Sequence, residues 1–90
     1  MKAVPSEKAF AALGDPVRLA IVRRLLRRES CICELTGCCA KDQSVIFRHV
    51  KLLEDAGIVV TRKDGKYLRC TIKDPVALKR LLAAAAAFTT

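Results

Sequence analysis

Histidine is almost missing from this chain. His49 is the only one among 90 residues, and acidic groups are scarce too, nine Asp and Glu against seventeen Lys and Arg. With one histidine, no nucleophile–base pair and no glycine-rich phosphate loop, little is left from which to assemble catalytic machinery, and no enzyme is expected. Long apolar runs are also lacking: the longest, Leu81 to Phe88, falls far short of the roughly 20 residues that cross a bilayer. The first residues lack the apolar core of a signal peptide. A cytoplasmic protein with no membrane partner is the expectation.

What is present points to an anionic partner. The net charge is +8 and the pI near 9.7, which favours nucleic acid, although ribosomal and membrane-surface proteins share this composition. Ninety residues make one domain whose own core is marginal, so a partner subunit would help. Five cysteines, an odd number with two adjacent, do not look like a secreted disulfide framework. In a cytosolic chain such a cluster more often means metal or redox chemistry.

The stretch from Ser30 to Gly57 organises the rest. Asp42 is placed to cap a helix with its carboxylate, and Ile46, Val50 and Leu53 recur behind it as one apolar stripe. Ser44, Phe47, Arg48, Lys51 and Asp55 lie opposite, and Gly57 closes the helix. A shorter helix from Cys31 to about Thr36, with Ser30 as its cap, precedes it across a turn containing Gly37. Two short helices so joined, the second basic, read as a helix-turn-helix.

Around this centre, Met1 to Pro5 is a short arm and Ser6 to Leu13 a first helix broken by Gly14. Asp15-Pro16 opens a second helix that buries Val17, Ile21, Val22, Leu25 and Leu26. Arg18, Arg23, Arg24, Arg27 and Arg28 line its outer side as a largely solvated face. Ile58 to Lys63 and Lys66 to Ile72 read as strands joined by an Asp64-Gly65 turn, with Leu68, Cys70 and Ile72 on one face. Asp74-Pro75 starts a last helix whose stripe is Leu78, Leu81, Leu82, Ala85 and Phe88. The expected fold class is mainly α with a β-hairpin wing: a dimeric winged helix-turn-helix spanning 1–90. Its helix-turn-helix covers about 31–57, the wing about 58–72, and the dimerisation helices about 6–13 and 75–88.

Three segments carry a family resemblance. Leu13-Gly14-Asp15-Pro16-Val17-Arg18-Leu19, then Cys31-Ile32-Cys33 with Glu34-Leu35, then Arg48-His49-Val50-Lys51-Leu52-Leu53-Glu54-Asp55-Ala56-Gly57-Ile58-Val59 together resemble the ArsR/SmtB metalloregulatory repressors, over roughly residues 8 to 73. The resemblance implies a homodimeric repressor that leaves its operator when a toxic metal or metalloid ion binds. Arsenic-sensing members usually carry a third cysteine where this chain has Thr36, and Cys38 and Cys39 follow instead. Members also commonly have serine at the place of Phe47. Other metal sites of the family are ruled out by composition. Residues 75–90 hold no His, Asp, Glu or Cys for a zinc site on the last helix, and the N-terminal arm has no cysteine.

The metal-ligating candidates are therefore Cys31, Cys33, Cys38 and Cys39. A helix start favours thiolate, the form that binds soft ions. In a regular helix Cys31 and Cys33 would point about 200° apart, and Cys38 would share a face with Cys31 but lie roughly 10 Å along it. One ion could collect three sulfurs only by unwinding the helix, which suggests how binding would disturb the DNA-reading segment. The plainer alternative is that free cysteines are small apolar residues, and for Cys70, alternating with Leu68 and Ile72, core packing is the better reading. A cysteine-only site favours As(III) or Sb(III) as effector, with Cd or Hg as further candidates. No cofactor is needed for DNA binding.

On the DNA side, Gln43, Ser44, Phe47 and Arg48 occupy the half of the helix that reaches base edges. Arg48 suits guanine, Gln43 adenine, and Phe47 thymine methyls. His49, nearer the buried flank, is either a satisfied histidine or a phosphate contact. Lys51 is on the polar face, and Arg62, Lys63, Lys66 and Arg69 are wing contacts that position rather than specify. The reading is an ion-released repressor of double-stranded operator DNA. A thiol redox or persulfide-responsive repressor of the same fold is the first alternative, and a structural zinc-binding interaction module the second.

Overall fold

The computed structural model describes residues 5–39 and 41–89. Of the arm expected over Met1–Pro5, residues 1–4 lie outside them. In chain order the elements are α1 (Ser6–Leu13), α2 (Pro16–Arg27), β1 (Ser30–Cys31), α3 (Ile32–Cys39), α4 (Gln43–Asp55), β2 (Val59–Asp64), β3 (Tyr67–Ile72) and α5 (Pro75–Ala86). This is a winged helix-turn-helix: α3 and α4 form the helical pair, and β2 and β3 the wing.

The two Asp-Pro signals act as their chemistry dictates. Asp15 Oδ2 accepts the Val17 and Arg18 N–H groups at 2.9 and 3.0 Å, and Asp74 Oδ1 accepts that of Ala77 at 3.0 Å. Ile46, Val50 and Leu53 are fully buried on α4, packed in one core with Ile21, Val22 and Leu25 of α2 and Leu35 of α3. Gly57 follows at φ 79°, where its N–H reaches Glu54 O at 2.9 Å and the Ile58 N–H reaches Leu53 O at 3.0 Å. These two bonds satisfy carbonyls that the helix end would leave bare, and they aim the chain into β2.

Several expectations need correction. Ser30 is no helix cap: Ser30 and Cys31 form a third strand, antiparallel to β3, in register Ser30↔Cys70 and Cys31↔Arg69. The sheet order is therefore β1-β3-β2. The helix that follows starts at Ile32 and runs through Gly37 to Cys39 rather than stopping near Thr36. Gly37 is exposed there, so the helix loses propensity at that position but no packing. Asp42 stands at the α4 cap position, yet its side chain makes no capping bond. The hairpin turn is Gly65-Lys66, one residue later than expected, flanked by the Asp64↔Tyr67 pair, with Gly65 at φ 62°. Helix α5 ends at Ala86, so Phe88 lies beyond it, and of the expected stripe only Leu78 is buried. Arg18 and Arg24 are half-buried rather than solvated.

Gly57→Ala should cost about 1–2 kcal/mol, because a Cβ is disfavoured at positive φ. Urea unfolding should show a lower midpoint with an unchanged slope.

Candidate functional site

Helix α4 presents Gln43, Ser44, Phe47, Arg48 and Lys51 to solvent, opposite its buried stripe. Phe47 is 45% exposed, a large ring left on an otherwise polar surface. The wing adds exposed Arg62, Lys63 and Lys66, with Lys66 Nζ over the Tyr67 ring at 5.6 Å from its centroid. Some of these cations already have partners. Lys51 pairs with Glu54 at 2.9 Å and Arg62 with Glu29 at 3.3 Å. Arg69 is half-buried among Asp64 at 3.3 Å, Glu34 at 3.6 Å and Glu29 at 3.9 Å.

His49 is half-buried and bonded to Arg18, Nη1 to Nδ1 at 3.0 Å. A guanidinium only donates, so Nδ1 is the accepting nitrogen of this bond. The same arginine donates from Nε to Ala12 O at 2.6 Å and from Nη2 to Ala11 O at 3.3 Å. Both are carbonyls in the last turn of α1, and Ala11 O also accepts the Gly14 N–H at 3.3 Å. Arg18 thus fastens α1 to α4. Among the four arginines of α2, nothing in the sequence marked it for this role.

Glu54 ties α4 to the wing, accepting the Thr61 hydroxyl proton and the Lys51 ammonium. Both bonds favour the carboxylate, the Thr61 bond most, and lower its pKa from the ordinary 4.5.

The cysteines gather in two pairs. Cys31 is buried in β1, and Cys33 is exposed in the first turn of α3; their Cα atoms are 5.4 Å apart and their sulfurs are joined as a disulfide. The expected divergence of about 200° fails because Cys31 lies in a strand, not in the helix. Cys31 is instead the residue that caps α3. Its N–H donates to Glu34 Oε1 at 3.0 Å, the back-reaching half of a capping box, and this bond chiefly lowers the Glu34 pKa. Cys38 and Cys39 are free thiols in the last turn, with sulfurs 3.2 Å apart. Among the described residues no group of three or more His, Cys, Asp or Glu is placed to hold a metal ion. Cys70 is buried in the core, and burial pushes its thiol up to about 11.

A cavity of about 290 Å³ connects the first pair to the exposed face of α4. Cys31 and Cys33 line it together with Gln43 and Phe47 of α4 and Lys66 and Tyr67 of the wing.

Fold and surface define a DNA-binding regulator class, and sequence comparison gives the family. The chain belongs to the ArsR family of bacterial regulatory proteins, whose sequence model matches residues 15–61, just over half the chain. It is 39% identical to a probable mercury resistance operon repressor of Streptomyces lividans, over 83% of this chain and 64% of that one. It is 44% identical to the arsenical resistance operon repressor of Escherichia coli K12, over 66% of this chain and 51% of that one. The structure of reduced HlyU from Vibrio cholerae superposes with a TM-score of 0.78 at 27% identity, covering 89% of this chain and 86% of that one. The chain thus spans less than two thirds of the length of these curated relatives. Both are repressors by name, not enzymes. None of the described helices is long and apolar enough to cross a membrane.

Because Glu54 has a folded-state pKa below its unfolded one, its stabilisation is complete above about pH 4.5 and fades as pH falls through the lowered value. Glu54→Gln should therefore unfold with less pH dependence than the parent below pH about 4.5, measured by urea titration at stepped acid pH.

Proposed function

We propose that this chain is a transcriptional repressor that binds double-stranded operator DNA as a homodimer and leaves it when a thiophilic ion binds cysteine thiolates. Arsenite and antimonite are the first candidates, mercury and cadmium the next. The observation that carries the reading is the cavity in which Cys31 and Cys33 face Gln43, Phe47, Lys66 and Tyr67. An ion taken up by the reduced pair would change the packing of the same side chains that are offered to DNA. The mercury and arsenical resistance named for the two curated relatives supports a soft ligand. Support for a dimer comes from the terminal helices. Phe10 is 63% exposed and Phe88 90%, and Phe10, Leu13, Leu19, Leu81, Leu82 and Ala85 border an open apolar groove. A second copy would remove that surface from water.

A second reading has its own observation. The bond between the Cys31 and Cys33 sulfurs is the oxidised state of a dithiol, so a thiol redox signal would act on the same cavity. Titrating reduced protein on its upstream DNA with arsenite, antimonite, mercury, cadmium and peroxide separates the two readings. Release by ions supports the first, and release by peroxide alone replaces it with the second.

Two variant sets test the roles. Cys31→Ser or Cys33→Ser should leave DNA affinity nearly unchanged while abolishing release by arsenite, since a hydroxyl is a poor donor to a soft ion; a double variant still released by arsenite would sink the site. Arg48→Ala should cost about 1–3 kcal/mol and relax selectivity at one base position. Lys66→Ala should weaken all DNAs alike and flatten the salt dependence by about one unit. Quantitative footprinting across salt and operator variants would detect a reversal of these roles.

A further inference from the structure

Cys38 and Cys39 stand apart from the pair in the cavity. Both are free thiols in the last turn of α3; Cys38 is exposed, while Cys39 is half-buried and packed against the core. Their sulfurs lie 3.2 Å apart, and the Cys38 thiol also donates to Leu35 O at 3.5 Å. Two sulfurs with no third ligand placed beside them among the described residues suit an ion that brings its remaining ligand with it. The spacing is tighter than the edge of about 3.8 Å that two thiolates present to tetrahedral zinc. Trivalent arsenic or antimony is pyramidal, with bond angles nearer a right angle, and spans a shorter edge.

We propose that Cys38 and Cys39 form a second ligand site, a vicinal dithiol that chelates trivalent arsenic or antimony compounds independently of Cys31 and Cys33. The proposal rests on the ligand class of the repressor reading but not on its site. With an aryl arsenous acid the step balances simply. Two S–H and two As–O bonds break, two As–S bonds and one new O–H bond in each of two departing waters form, and arsenic stays trivalent with no electron transferred. The chelate would close the last turn of α3, three residues before the Asp42 cap of the DNA-reading helix.

The test is adduct stoichiometry with phenylarsine oxide, read by intact-protein mass on phosphine-reduced chain. Cys31→Ser/Cys33→Ser should still take one equivalent, and Cys38→Ser/Cys39→Ser should take one fewer than the parent. Either Cys38→Ser or Cys39→Ser alone should have the same effect as their double variant, because one sulfur does not chelate. No uptake by the Cys31/Cys33 variant, or undiminished uptake by the Cys38/Cys39 variant, overturns the proposal. If the double variant fails to fold by circular dichroism, the parent supplies the readout: loading should protect Cys38 and Cys39 together from maleimide, and labelling of both after loading overturns it. Loss of uptake at Cys31 and Cys33 alone counts against the repressor reading and leaves this site standing.

Discussion

The antiparallel contact of Ser30 and Cys31 with Cys70 and Arg69 is the constraint on which the site depends. It is only two residues long, yet it fixes the start of α3 against the wing strand. Because Cys31 is held extended, its sulfur meets that of Cys33 instead of pointing away from it. Its N–H is turned towards Glu34, and the same Glu34 carboxylate pairs with Arg69 of β3. Cap, thiol pair and wing therefore share one carboxylate, and the cavity between them follows from that shared anchoring.

Helix α4 is held in a complementary way, from its back and its far end. The buried stripe seats it in the core, Gly57 turns the chain out of it, and Glu54 joins it to the wing through Thr61. Arg18 of α2 adds a hold on its flank through His49 while it also bonds the last turn of α1. Helix α1 borders the apolar groove proposed for a second copy. A change in how two copies meet would thus reach α4 through hydrogen bonds as well as packing. The N-terminal half of α4 carries none of these ties through Gln43, Ser44, Phe47 or Arg48, whose side chains face solvent.

The sequence made legible what periodicity and cap chemistry encode. The stripe of Ile46, Val50 and Leu53, both Asp-Pro caps and the closing Gly57 all recur in the structure where they were expected. Strand β1 was invisible because two residues have no period, and because serine before a helix looks the same whether it caps or pairs. Gly37 suggested a turn, but an exposed helix tolerates a glycine at a cost of about 1 kcal/mol. The hairpin was displaced by one residue because Asp64, a plausible turn residue, is instead the last paired residue of β2. Arg18 could not be told from its neighbours by composition, since its role depends on carbonyls at the end of another helix.

Formal charge and usable charge differ in this molecule. The net +8 suggests a strong, salt-sensitive attraction for DNA, yet Lys51, Arg62 and Arg69 already face carboxylates. Surface pairs of this kind are worth only about 0–1 kcal/mol, so a phosphate can take the cation over. When it does, the abandoned carboxylate regains counterions from solution, and the net ion release falls below that of an unpaired cation. Glu29 makes the effect local, since it faces both Arg62 and Arg69. Arg48, Lys63 and Lys66 form no ion pair among the described residues, and on the repressor reading they would carry most of the salt dependence. The wing would then divide its work: Lys63 and Lys66 supply attraction, while Arg62 and Arg69 keep its base ordered beside the thiol pair.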